Sequence, residues 1–324
     1  MLTLLFDGIA YGMLLFILAV GLSVTMGLMN FINLAHGAFA MMGGYVTVLL
    51  MQRFDVPFLV CLPIAFASAA LLGAVLERTL YRHMYAKPHL DQVLFSIGLA
   101  FMAVSIVSYV AGTQQQIIQL PEWLRGRVEF FDGALGMGYY RLFIIVVCAA
   151  VTLALQWVLS NTRFGSRLRA SVDDPRVARG MGINVNIVFA ATFAVGSGLA
   201  GLGGALGAEV LGLDPTFPLK FMVYFLIVVA VGGTSSITGP LMAALLLGVA
   251  DVMGKYYVPK LGAFIVYALM IALLVWKPQG LFVRLGGKTS GKTSGKSGGK
   301  SGEKSAAKSS MVNKTASPAT GSAA

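Results

Sequence analysis

Predominantly apolar runs with few charges recur along this chain almost from end to end, near 5–27, 35–51, 58–77, 93–111, 141–160, 187–208, 220–233, 237–254 and 261–276. A bilayer's hydrocarbon core is about 30 Å thick and takes about 20 apolar residues of helix to cross. Inside it every backbone N–H and C=O has to be satisfied by the protein itself, which makes helix the reading for runs of this length. Composition agrees, with 57% of the 324 residues hydrophobic, 11% charged and a mean hydropathy of +0.81. The expectation is an all-α integral membrane protein, a polytopic bundle of about eight to nine transmembrane helices. The runs 35–51, 220–233 and 261–276 are short, and glycine interrupts the first two, as in broken or re-entrant helices that line a cavity. No Lys or Arg precedes the first run, so it reads as a retained span and not as a removable leader. Cys61 and Cys148 fall inside apolar runs, where a small polarisable side chain packs without a disulfide.

Orientation follows from the basic residues, which accumulate on the cytoplasmic side of membrane proteins. The segment 78–92 carries three, 161–186 carries five and the chain from Lys277 onward carries nine, which is 17 of the 24 in the protein. With those segments inside, an odd number of spans puts the N-terminus outside and the C-terminus in the cytoplasm. The membrane domain is expected to cover 1–285. From 286 to 324 the composition turns to Gly, Ser, Lys and Ala, which cannot bury enough surface to fold and reads as a disordered cytoplasmic tail.

Two nucleotide-binding patterns match by letter and fail by context. The run 286–293 satisfies G-x-x-x-x-G-K-[ST], but a P-loop needs a strand before it and a helix after it, whereas here a span precedes and low-complexity sequence follows. The run 196–201 satisfies G-x-G-x-x-G inside an apolar span, where no strand-to-helix turn exists. Its small residues have another use. Gly196, Ala200 and Gly204 recur every four residues and let a second helix approach closely.

Three segments could carry function. Between the first two runs, Asn30, Asn33 and His36 stand three apart, so on a helix they would share one side. Polar groups at this depth either line a solute path or satisfy backbone groups freed at a helix end, and both readings stand. In the second half Gly232-Gly233-Thr234-Ser235-Ser236 breaks another apolar stretch, so that Gly233, Thr234 and Ser235 are candidates for the same path. Two breaks, one in each half, fit a transporter with an internal repeat, although the second could equally be a turn between helices. The third segment is the charged stretch 162–184. Asp173 or Asp174 can cap a short helix, with Pro175 in its first turn, Ala178 inside, and Gly180 or Gly182 ending it, which makes a docking element for a soluble partner.

The runs Gly-Leu-Met-Asn-Phe-Ile-Asn-Leu-Ala-His-Gly from Gly27, Thr-Arg-Phe-Gly-Ser-Arg-Leu-Arg-Ala from Thr162, and Val-Gly-Gly-Thr-Ser-Ser-Ile-Thr-Gly-Pro from Val231 resemble the branched-chain amino acid ABC permease family, in particular its LivH-type member. The resemblance covers about 1–285. It implies a bacterial inner-membrane importer built from two permease subunits, as a homodimer of this chain or a heterodimer with a second homologous one, with two cytoplasmic ATPase subunits and a periplasmic or extracellular solute-binding protein. ATP and Mg would bind the ATPase subunits, no cofactor would bind this chain, and the chain itself would catalyse nothing. Nucleic acid has no place in this reading. By similarity, the short helix carrying Asp174, Pro175, Ala178 and Gly182 would seat in a groove of the ATPase, with Gly165, Arg167 and Arg169 in the same coupling loop. Branched-chain or other hydrophobic amino acids, or related small amides and acids, are the implied solutes.

A secondary transporter or solute channel would show the same broken helices. The spans lack a buried ionisable relay of the kind such proteins use, since Asp7 and Asp251 sit near helix ends and only His36 lies deep.

Overall fold

The computed structural model describes residues 1–29, 31–130, 135–233 and 236–276. The expectations for Asn30, Thr234, Ser235 and the 286–324 tail, including its P-loop match, therefore lie outside the described residues. The chain is built of helices: α1 (Leu2–Met29), α2 (His36–Phe54), α3 (Phe58–Thr79), α4 (His89–Ala111), α5 (Tyr139–Asn161), α6 (Arg163–Asp173), α7 (Pro175–Gly180), α8 (Val185–Leu211), α9 (Phe217–Gly232), α10 (Thr238–Tyr257) and α11 (Gly262–Trp276). Six of these, α1, α3, α4, α5, α8 and α10, are long and apolar enough to cross a membrane. The helices α9 and α11 are apolar but shorter, and α2 carries three glycines in 19 residues. Among the described residues one antiparallel strand pair, a hairpin, interrupts the helical pattern, with β1 (Arg127–Phe130) paired to β2 (Leu135–Gly138) in the register Arg127 to Gly138.

Two helices form the centre. In α1 the stretch Leu14–Val20 is fully buried, and α8 is buried along most of its length from Ala190 to Ala208. A helix apolar all round has no solvent side to keep, which is why these two can sit among the others. In contrast α4 presents Leu90, Leu94, Phe101, Met102, Ile106 and Tyr109 outward, as a lipid-facing helix does.

Among apolar helices in lipid, packing depends on how closely the backbones approach. Small residues of α8, within the stripe and beside it, provide that approach on three sides. Gly196 lies against Gly21 of α1; a side chain at Gly204 would collide with the Ala40 carbonyl of α2; and one at Gly201 would run into Ala65 and Ala69 of α3. The same device joins α1 to α10, where Gly12 meets Ala244 and Leu245 and Gly248 meets the α1 backbone at Gly8 and Gly12. Cys61 and Cys148 are buried free thiols.

Candidate functional site

The link between α1 and α2 is a short non-helical passage through residues 31–35, so Asn33 and His36 do not share a helical face as an uninterrupted helix would have required. Asn33 is fully buried. Its Oδ1 accepts from the Ala35 amide at 3.1 Å and from the Tyr81 hydroxyl at 3.1 Å, while its own carbonyl accepts from the His36 amide. This turn replaces the hydrogen bonds that the broken helix gives up. Two side chains of α4 complete the set, with Gln92 Oε1 accepting from the Ile32 amide and Ser96 Oγ from the Leu34 amide. The Asn33 Nδ2 amide is buried without a partner among the described residues.

His36 opens α2 at 2% exposure. Its Nε2 lies 3.0 Å from the Leu18 carbonyl of α1; a carbonyl can only accept, so Nε2 carries the proton and donates. The imidazole stands edge-on to Phe39 and Phe225, filling the junction of α1, α2 and α9 beside the Gly21 and Gly196 contact.

A second turn of the same design precedes α9. Between α8 and α9, Asp214 Oδ1 accepts from the Thr216 amide at 2.9 Å and the Asp214 carbonyl accepts from the Phe217 amide at 3.0 Å, repeating the pattern of Asn33 toward Ala35 and His36. Lys220 completes the site with a 2.8 Å bond to Asp214 Oδ2. Gly233 follows α9 with a positive φ of 78°, and Gly232 abuts Pro240, so the end of α9 lies close against the start of α10.

At the basic end of the bundle the charged stretch folds into two helices. Thr162 caps α6 by accepting from the Gly165 amide, and Gly165 fits where any side chain would strike the Leu159 carbonyl. Arg167 is exposed on α6, and Arg169 donates to the Leu159 carbonyl across the α5–α6 corner. The Asp174 carboxylate caps α7 through the amides of Arg176 (2.8 Å) and Val177 (3.1 Å); Pro175 is its first residue, Ala178 is fully buried, and Gly182, at φ 81°, follows it. Val177 and Met181 remain 56% and 64% exposed, two apolar side chains offered at the tip of a charged segment. Asn184 then caps α8 through the Ile187 amide.

Behind α7 lies a groove of about 610 Å³ whose walls include Glu77, Arg82, Tyr85, Pro175, Arg179 and Phe189. The Tyr85 hydroxyl donates to Glu77 at 3.0 Å; burial, aided by that carboxyl, pushes the phenol well above its usual range and keeps it a donor. Tyr85 stands edge-on to Phe189 and to Phe31, and Phe31 to Tyr81, which holds Asn33. A continuous chain of packed rings thus runs from the α7 groove to the break before α2.

A helical bundle with interrupted helices inside it and a capped, exposed helix at its basic end is the form of a membrane transport component. Residues 4–274 match the model of the family described as branched-chain amino acid transport system / permease component, and the chain belongs to that family. It is 27% identical to the high-affinity branched-chain amino acid transport system permease protein BraD of Pseudomonas aeruginosa, over 86% of this chain and 95% of that protein. It is 27% identical to LivH of Escherichia coli K12, over 86% and 94%, and 26% identical to LivM of the same organism, over 83% and 68%. No solved structure matches the chain at a significant level. The chain is accordingly a transport permease component and not an enzyme.

Proposed function

We propose that this protein is the membrane-spanning subunit of an ATP-driven importer for branched-chain or similar hydrophobic amino acids. It sits in the bacterial inner membrane with its N-terminus outside, and pairs with a second, homologous permease. The names of the relatives support the solute class, and the presence of both LivH and LivM among them supports a permease pair. The observation that carries the mechanism is α7. A six-residue helix with a strong N-cap, one buried anchor and exposed apolar side chains at Val177 and at its C-cap Met181 is built to be gripped from outside. An ATPase subunit holding Val177 and Met181 would move α7, and the rings of Tyr85, Phe31 and Tyr81 would carry that movement to the Asn33 turn and His36. Two breaks with the same hydrogen-bond pattern, one before α2 and one before α9, further support an internal repeat in which α1, α2 and α3 correspond to α8, α9 and α10. A solute-binding protein would meet the opposite end, around the β1–β2 hairpin. The driving force tests this reading. Proteoliposomes holding the chain with its partner subunits should accumulate leucine-like solute only with ATP and binding protein; uptake driven by an ion gradient without ATP would instead make it a secondary transporter.

A further inference from the structure

An apolar groove of about 230 Å³ opens between α5 and α8 at the basic end of the bundle, with α6 closing its end. Leu155 and Leu159 of α5, Phe164 and Leu168 of α6, and Ala191 and Val195 of α8 are among its walls. The one hydroxyl among its lining residues, that of Thr192, is spent on the Val188 carbonyl at 2.8 Å, so the wall offers nothing polar to a solute. From Ala191 to Leu199 the groove follows α8 for about 12 Å, at 1.5 Å per residue, into the leaflet on the basic side.

The helix that closes it is amphipathic. Phe164 and Leu168 face the groove one helical turn apart, and Arg163 and Arg167, each one residue earlier, form the next ridge and are exposed. Arg169 spends one donor on the Leu159 carbonyl, and a guanidinium has others to give. No acidic residue occurs on α6 before Asp173, at its far end.

We infer that this is a binding site for an anionic phospholipid, with the headgroup-proximal part of one acyl chain in the groove and the phosphate-bearing headgroup held by Arg163 and Arg167, beside Arg169. The apolar lining selects a hydrocarbon chain, and the arginine ridge at the level of the headgroups selects negative charge, since guanidinium matches phosphate in geometry as well as charge. The role of α6 is then separate from that of α7. It anchors the α5–α6 corner to the lipid surface, while α7 alone projects toward a soluble partner.

The test is native mass spectrometry of the intact transporter complex in detergent, titrated with dioleoyl phosphatidylglycerol or dioleoyl phosphatidylcholine. The wild-type complex should retain phosphatidylglycerol in preference to phosphatidylcholine. Arg163→Gln and Arg167→Gln, both at exposed positions, should each weaken phosphatidylglycerol retention about fivefold and leave phosphatidylcholine unchanged. Val195→Trp fills the groove from a partly exposed position and should abolish the preference with the arginines intact; Val158→Trp, from the α5 side, does the same should the first variant fail to assemble. Equal retention of the two lipids by the wild type, or undiminished preference in the arginine or tryptophan variants, overturns the site. A disulfide between Val195→Cys and a cysteine on the second permease would overturn it too, by showing that protein covers the groove.

Discussion

Asn33 illustrates how a polar residue earns a place inside a membrane protein. One oxygen serves two donors, a backbone amide freed by the helix break and the hydroxyl of Tyr81 from the neighbouring α3–α4 link. Removing that oxygen strands both donors in a buried site, at about 1–3 kcal/mol for each group left unpaired. Asn33→Ala should therefore lower the melting temperature of the purified complex more than Tyr81→Phe, which removes a single donor and leaves the turn intact. A larger loss from Tyr81→Phe would mean that the hydroxyl has a partner of greater importance than Asn33. The sequence showed that Asn33 and His36 were unusual, because polar groups in an apolar run are costly, but their three-residue spacing suggested a shared helical face. The turn between them is a matter of long-range partners, Gln92 and Ser96 among them, which no local pattern announces.

The small-residue stripe on α8 belongs to the scale of elements. Its spacing was readable because a four-residue recurrence places Gly196 and Gly204 on one face, which the structure uses for α1 and α2, while Gly201 on another side meets α3. Gly204→Val should abolish accumulation of assembled protein, since its side chain would strike the Ala40 carbonyl, a backbone atom that cannot step aside. Gly98→Ala on α4 meets open space and should be neutral or stabilise by up to about 1 kcal/mol, from better helix propensity. Comparing the two variants by fluorescence-detected size exclusion separates packing from a general intolerance of substitution. The short helix α7 was equally legible, because Asp174, Pro175 and Gly180 are cap, first-turn and stop signals in order. Its neighbour α6 is harder to see in the sequence, because three arginines surround the helical spacing of Phe164 and Leu168. The turn before α9 has only a common aspartate-proline pair as local signature, and its likeness to the Asn33 turn lies in hydrogen bonds that no sequence pattern spells out.

For the whole molecule the principal expectation is direction. Three basic segments on one side predict that 78–92 and 161–186 face the cytoplasm and that the β1–β2 hairpin faces outward. The native cysteines are buried, so single cysteines report cleanly. Ser166→Cys should react with a membrane-impermeant maleimide only after cells are opened, whereas Gln114→Cys should react in intact cells. The reverse pattern would invert the topology and remove α7 from the side where ATP is found. Because the bundle, its basic end and its order of motifs are all set by hydropathy and charge, they could be read without coordinates. The path from α7 through Tyr85, Phe31 and Tyr81 to Asn33 could not, since its members are scattered over four parts of the chain.

The central claim is that α7 is the element through which an ATPase drives this permease. Its most direct test is the hydrolysis rate of the reconstituted complex with and without solute-loaded binding protein, in the wild type and in a Val177→Asp, Met181→Asp variant. Both substitutions fall on exposed residues, so the fold should survive them. The account predicts that stimulation by the loaded binding protein is lost in the variant although the permease still assembles in the membrane. Undiminished stimulation would contradict it.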